Sequence, residues 1–412
     1  MCARKQRTRT AGRFPAVRLF RPCAWLQGLA VFLLSGLIAL SPGSRAAAAD
    51  LAVGVAGPMS GPLAAAGRQM AEAVKLAASD INKTGGVNGG KLIIFVADDE
   101  ATPAGAKKAA GALLAKGVNI VVGHYNSTPT MTASELYAER NVLALAPVAV
   151  IGKLTDRKLW NVVRLAPRQD EQGATAAAWL AKNFPRGKIA IVHDGSAYGR
   201  MLANSAQSGL QKAAIEPAIF AEIPPGLRQT AAIAARLAKR IASEAVDAVY
   251  WTGGSGDARQ LLLALRGAKS NATFFGTEVL ASEDFARLDD PAIVSGVRMT
   301  VAADPASSPE AKALLQRLAA QAAPDGAPVA FDGTAVAAYA ALQLAAEAAR
   351  TISSNDPRRI AEAIRSGRMF ATAAGEMSFD GRGDRKENLF RVFRWSLGED
   401  GKPVFAPQPG AR

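Results

Sequence analysis

Ser127, Thr128 and Pro129 form the part of this chain best suited to hold a small anion. Ile120, Val121 and Val122 are an apolar β-branched run ending at Gly123, which reads as a buried parallel strand. A polar loop follows, and Thr128 is expected to cap a helix whose first position is Pro129, where a missing N–H costs nothing. The free N–H groups of Thr130 and Met131 would then face the carboxyl edge of a sheet, beside the hydroxyls of Ser127 and Thr128. A helix start of this kind favours negative charge, and a carboxylate suits it. An ordinary capped helix gives the same pattern, so this stretch alone leaves both readings open.

Other chemistry is scarce. Gly54 and Gly57 lack the spacing of a dinucleotide loop, and no phosphate-binding G-x-x-x-x-G-K-[ST] run occurs. Gly253-Gly-Ser-Gly-Asp257 lacks the last glycine of a nucleophile elbow. The chain has two histidines, His124 and His193, so a metal site would rest almost wholly on carboxylates and a hydrolytic triad has two candidate bases. His193 reads as structural at a strand end, while His124 opens the loop before Ser127 and is compatible with either role. Asp98-Asp99-Glu100 is either a cation site or, more commonly, a solvated strand end. Neither an enzyme nor a bound cofactor or metal is expected.

The elements that would position these residues alternate for some 250 residues from Leu51. Strands are expected at Leu51–Ala56, Lys91–Ala97, Ile120–Val122 and Val142–Ala146, with helices at Gln69–Lys83, Pro103–Ala115 and after Thr128. Gly57–Gly67 and Pro147–Thr155 read as loops. The pattern restarts with extended Trp160–Arg164, a helix from Asp170 to Asn183 and a strand at Lys188–His193. A helix to Ala214, helices at Arg228–Ser243 and Asp257–Arg266, and strands at Val246–Trp251 and Ala272–Gly276 follow. Two such series imply two parallel-sheet lobes with a cleft between their carboxyl edges. Beyond Val297–Val301, three helices (near Pro309–Ala322, Asp332–Thr351 and Pro357–Ser366) precede a hairpin over Gly375–Trp395 around Asp380-Gly-Arg-Gly383, and Pro403, Pro407 and Pro409 suggest a loose tail.

The 412 residues carry 49 basic and 35 acidic side chains, a formal charge of +14. Eight of the basic residues lie in the first 49 positions, which hold no acid, leaving 41 against 35 and a dispersed net of +6. Basic clusters interleaved with aromatics are absent, so no nucleic-acid partner is expected. The first 49 residues read as an export signal: a basic region, an apolar run from Ala24 to Leu40, and Ala46–Ala49 before Asp50. The alternative is a marginal membrane anchor of about 17 residues, interrupted by Gln27, Gly28, Ser35 and Gly36. Cys2 and Cys23 would leave with the signal, and a core of this size needs no disulfide.

The series Val53-Gly-Val-Ala-Gly-Pro-Met-Ser-Gly-Pro62, Ala78-Ser-Asp-Ile-Asn-Lys-Thr-Gly-Gly-Val-Asn-Gly-Gly90, Val96-Ala-Asp-Asp99 and Gly123-His124 resembles the periplasmic branched-chain amino acid binding proteins, the type I solute-binding proteins of ABC importers. Arg168-Gln-Asp-Glu-Gln-Gly173, Ile191-Val-His-Asp194, Tyr198-Gly199, Gly276-Thr-Glu278 and Met377-Ser-Phe-Asp-Gly381 continue it, so it spans Asp50 to Trp395. The resemblance implies a type I α/β fold of two Rossmann-like lobes joined by a three-crossing hinge. It places lobe 1 at residues 50–169 with 302–377, and lobe 2 at 170–301 with 378–412. Ser127 would hold an α-carboxylate with backbone groups of the Tyr125–Thr128 loop. Glu278, with Asp170, would hold an α-ammonium, Tyr198 would close the second-lobe side, and Val148 to Val150 would give backbone contacts.

Several positions depart from the family. Val150 stands where the family has a threonine, Ala66 where it has an aromatic, and Gly254 where it has a tyrosine, with Trp251 nearby as a substitute. Ala101 and Asn126 stand at the family's disulfide positions. These changes imply a roomier pocket less committed to an amino group. The resemblance thus implies a monomeric periplasmic binding protein that carries a branched-chain or other hydrophobic amino acid to a membrane permease. An aromatic or aliphatic organic acid is the alternative ligand, and a ligand sensor or an exported α/β enzyme the alternative roles.

Overall fold

Short apolar runs, buried on both faces except in the edge strand Leu92–Asp98, build the first sheet of the computed structural model, which describes residues 49–226, 230–322 and 330–408. The positions 1–48 of the expected export signal lie outside the described residues. Strands β1 (Leu51–Gly57), β2 (Leu92–Asp98), β3 (Ile120–Gly123), β4 (Leu143–Ala146) and β5 (Val162–Arg164) pair in parallel in the order β2-β1-β3-β4-β5. Their crossovers carry α1 (Ala64–Lys83), α2 (Pro103–Ala115), α3 (Ser127–Glu139) and a single turn, α4 (Lys153–Asp156). Helix α1 begins five residues before the expected Gln69, because Ala64-Ala-Ala-Gly supplies helix formers where the small residues suggested a loop. The turn α4 likewise replaces the end of the expected Pro147–Thr155 loop.

The second half repeats the pattern with α5 (Gln169–Asn183), β6 (Ile189–His193), α6 (Ala197–Lys212), β7 (Ile219–Glu222), α7 (Thr230–Ser243), β8 (Ala248–Thr252), α8 (Ser255–Gly267) and β9 (Thr273–Gly276). A short helix α9 (Glu283–Ala286), strand β10 (Arg298–Ala302) and helices α10 (Pro309–Ala322), α11 (Gly333–Thr351) and α12 (Pro357–Ile364) follow. Residues of α10, α11 and α12 do not join the second sheet; they pack on the first, in one core with Val53, Val55, Ile120 and Val122.

The C-terminal part corrects two expectations. No single hairpin spans Gly375–Trp395: β12 (Gly375–Met377) pairs with β11 (Phe370–Thr372), and Phe379 meets Arg385 in an isolated bridge. Strand β13 (Phe390–Leu397) instead runs antiparallel beside β10, burying Phe390 and Val392 on one face of the strand and Trp395 on the other. The expected loose tail is strand β14 (Pro403–Pro407), an edge strand on β13 with proline at both ends, where a missing N–H is tolerated. The second sheet is therefore seven-stranded, β14-β13-β10-β9-β8-β6-β7.

Candidate ligand-binding site

On the first sheet, the site loop leaves β3 at its carboxyl end and enters α3. Asn126 is the cap residue, in extended conformation, so the helix starts at Ser127 rather than at Pro129. The N–H of Thr130 donates to Asn126 O at 3.0 Å and is not free, contrary to the sequence expectation. The first-turn N–H groups open to a ligand belong to Ser127 and Thr128, and Pro129 removes the third. Ser127 Oγ accepts from the N–H of Val150 at 3.3 Å, which leaves the serine hydrogen to donate outward. Ser127 and Tyr125 are half-buried, and Thr128 is exposed.

Val150 belongs to the segment after β4, and its carbonyl is taken twice, by Gln169 N at 2.9 Å and by Arg164 Nη1 at 3.1 Å. Its N–H is thus the only backbone group of Val150 facing the Ser127 hydroxyl. Val148 and Val150 line a mostly aliphatic cavity of about 790 Å³, with Leu165, Leu315, Phe331 and Met377. A second cavity of about 260 Å³ shares Val150, Pro167 and Ala302 with it, and adds Gln172 and Glu278.

Glu278 opens a 3₁₀ turn directly after β9 and Thr277. Its Oε1 accepts from the Tyr198 hydroxyl at 2.7 Å, and its Oε2 from the Gln172 amide. Gln172 is buried and donates also to Thr300 O at 3.1 Å, which fixes it between α5 and β10. Tyr198 stands in the first turn of α6, whose cap Ser196 accepts from Gly199 N at 2.9 Å. Burial, then the adjacent Glu278 charge, push the Tyr198 hydroxyl far above its ordinary value, so it remains a donor throughout the physiological range.

Asp170 is not brought to Glu278. Its carboxylate takes both a 3.0 Å bond from Arg168 Nε and a 2.8 Å bond from Arg168 Nη2, a bidentate pair. Burial alone would raise this carboxyl, but the hydrogen bonds and charge of Arg168 outweigh it and hold Asp170 below its ordinary value. A depressed carboxyl contributes stability that is present above the unfolded value and lost as pH falls through the folded one. Asp170→Asn is therefore expected to lower the melting temperature near neutrality, where the ionised pair contributes, and to converge with the unaltered protein below about pH 4, which flattens the acid limb. An acid limb as steep as that of the unaltered protein would refute this assignment.

The remaining candidates are accounted for by the packing. His124 is buried between Asp99 Oδ2 at 2.7 Å and the Tyr137 hydroxyl at 3.2 Å, so it is enclosed rather than turned to a ligand. Asp99 is accordingly not solvated, and Asp98 and Glu100 turn elsewhere, to Met59 N and Lys108. Among the described residues no cluster suited to a metal ion exists. Trp251 is fully buried and its Nε1 donates to Gly254 O at 3.1 Å, so it does not stand in for the missing pocket aromatic. Gln172, Arg164, Arg168 and Asp384 were not singled out from sequence. Gln172 lies inside the Arg168–Gly173 run, two residues after Asp170, and that proximity was the available signal.

A parallel sheet and a mixed one, whose segments after β4 and β9 meet at one cavity through Val150 and Glu278, are the architecture of a binding protein for a small solute. Over residues 50–402 the chain matches the family model of the periplasmic binding proteins, and it belongs to that family of substrate-binding proteins. It is 32% identical over 360 residues to the Leu/Ile/Val-binding protein homolog 1 of Brucella melitensis, covering 87% of this chain and 94% of that protein. The fold is similar to a putative branched-chain amino acid ABC transporter from Rhodospirillum rubrum (TM-score 0.70, 24% identity, 84% and 97% of the two chains). It is also similar to a solute-binding protein of an ABC transporter from Rhodopseudomonas palustris in complex with 3,4-dihydroxybenzoic acid (TM-score 0.60, 20% identity, 87% and 96%). Among the described residues, no helix is long and apolar enough to cross a membrane.

Proposed function

We propose that this protein captures a small hydrophobic amino acid, of the leucine, isoleucine and valine class, and delivers it to the membrane permease of an ABC importer. In this reading it works as a monomer in the periplasm, with residues 1–49 removed as the signal. Residues 50–169 with 302–377 form one lobe and 170–301 with 378–412 the other, and three crossings let them close on the ligand. Ser127, with the first N–H groups of α3, takes the carboxylate. Glu278, oriented by Tyr198 and Gln172, takes the ammonium, and the aliphatic cavity beyond Val148 takes the side chain. Tyr125, Thr128 and Val150 shape the carboxylate end. The observation that carries this reading is that Val150 and Glu278 line one cavity.

An aromatic or aliphatic carboxylic acid is the second reading, favoured by one observation. Both oxygens of Glu278 already have donors within the protein, and Asp170 is neutralised by Arg168, so an absent amino group would leave no bare carboxylate. The relative bound to dihydroxybenzoic acid has the same fold.

Leucine, its des-amino analogue 4-methylpentanoate and its methyl ester separate these readings when each is tested on wild type, Ser127→Ala and Glu278→Gln. At about 100 times its dissociation constant a ligand stabilises the fold by roughly 2.7 kcal/mol, enough for a clear melting shift. Leucine is expected to bind, the ester to fail, and Ser127→Ala to weaken every acid. Tight binding of the ester with Ser127→Ala silent would overturn the site. Preference for 4-methylpentanoate, undiminished in Glu278→Gln, would move the ligand class to organic acids.

A further inference from the structure

We propose that Arg164 and Asp384 are positioning residues for ligand binding: together they hold the Val148–Ile151 segment in register with Ser127 and tie it to the chain crossing at residues 378–389. The proposal rests on the reading of Ser127 and Val150 given above.

Arg164 ends β5 with its side chain wholly enclosed. Its Nη1 donates to Val150 O at 3.1 Å and to Ile151 O at 2.7 Å. Its Nη2 donates to Thr155 Oγ1 at 2.6 Å, and both Nε (2.9 Å) and Nη2 donate to Asp384 Oδ1. All five guanidinium hydrogens thus have acceptors, and two of them are spent on adjacent carbonyls of the ligand segment. Lysine has three donors about a point charge and cannot span this set.

Asp384 supplies the counter-charge from 220 residues away. Its second oxygen accepts from Thr155 Oγ1 at 2.9 Å and Arg168 Nη1 at 3.1 Å, and the backbone N–H of Arg164 donates to the neighbouring Gly383 O at 2.8 Å. The carboxylate is therefore fixed by charge-assisted bonds on every side. Movement of this crossing must carry Arg164 with it, and Arg164 carries the two carbonyls. Val150 N–H, between those carbonyls and Ser127 Oγ, is displaced in turn. A site whose supporting residues allow an ångström of play loses affinity without losing its fold.

The test uses the exported protein with leucine as probe, calorimetry for affinity and stopped-flow fluorescence for dissociation. Arg164→Lys, confirmed folded by near-ultraviolet circular dichroism, is expected to weaken leucine by about tenfold or more, mainly through faster dissociation. Thr155→Val removes one hydroxyl and no charge, and is expected to weaken binding by roughly three- to tenfold. Asp80→Ala cuts the ties of Asp80 to Arg317 and Tyr339, distant from this segment, and is expected to lower the melting temperature while leaving affinity unchanged. Wild-type affinity in folded Arg164→Lys would overturn the proposal. Should that variant not fold, unaltered affinity in Thr155→Val overturns it instead. Should leucine not bind wild type, hydrogen exchange of the ligand-free segment 146–157 decides, and unchanged exchange in Thr155→Val overturns the proposal. Loss of affinity in Ser127→Ala with none in Thr155→Val would defeat this inference alone, whereas a silent Ser127→Ala would defeat the site itself.

Discussion

Asp384→Leu is expected to lower the free energy of unfolding by about 3–5 kcal/mol, because it strands the fully enclosed Arg164 guanidinium without a counter-charge. The mutual attraction of the pair is not the reason. Two charges taken out of water cost much of what they return, so the large effect comes from removing one partner and leaving the other. The double change Arg164→Met/Asp384→Leu should therefore recover most of the loss, although Thr155 and the carbonyls of Val150 and Ile151 would then lack a donor. Equilibrium urea denaturation of the three proteins measures this. A loss below about 1 kcal/mol in Asp384→Leu would mean that water reaches Arg164 and that the cluster is not closed.

Trp251→Ala is expected to have a comparable cost, about 3–5 kcal/mol, for a different reason. Trp251 lies on β8, fully buried in one core with Val249, Leu261, Phe274 and Leu280, and its ring meets the backbone of Gly253 so closely that an added Cβ would stand 2.6 Å away. Removing the indole leaves a void among side chains that cannot collapse, and leaves Gly254 O without its donor. Ligand preference among leucine, 4-methylpentanoate and 4-hydroxybenzoate should be unchanged in the folded fraction. A change in that preference would restore Trp251 as a pocket wall.

The contrast between these residues shows what the sequence made legible. Alternation of apolar runs with helical stretches placed fifteen strands and helices of the two series near their observed positions, because buried parallel strands and amphipathic crossovers each leave a period in the chain. The carboxyl-edge loops at Ser127, Val150, Tyr198 and Glu278 were locatable for the same reason. Helix starts were not, since Thr128 and Asn126 are both competent caps two positions apart and only the backbone decides between them. The pairing of Asp170 was not legible because a carboxylate carries no sign of its partner, here Arg168 two residues before it. Arg164 and Asp384 were invisible, as nothing local marks a pair separated by 220 residues. The tail at Pro403 was misjudged because proline forbids a central strand and permits an edge one.

The order in which the chain fills its two sheets has a kinetic consequence. The first sheet is complete in sequence at Arg164, yet its core waits for α11, and the second sheet waits for β13 and β14. At about 5–20 residues per second, the 220 residues between Arg164 and Asp384 take on the order of ten to forty seconds to synthesise. For that interval β5 carries an arginine without Asp384, and α1, α2 and α3 lie on the first sheet while α10, α11 and α12 do not yet exist. Such long-range closure slows folding and discourages the early half from committing alone. A nascent chain of this design cannot close its first core until its last quarter arrives, so the early half has nothing finished to lock it before then.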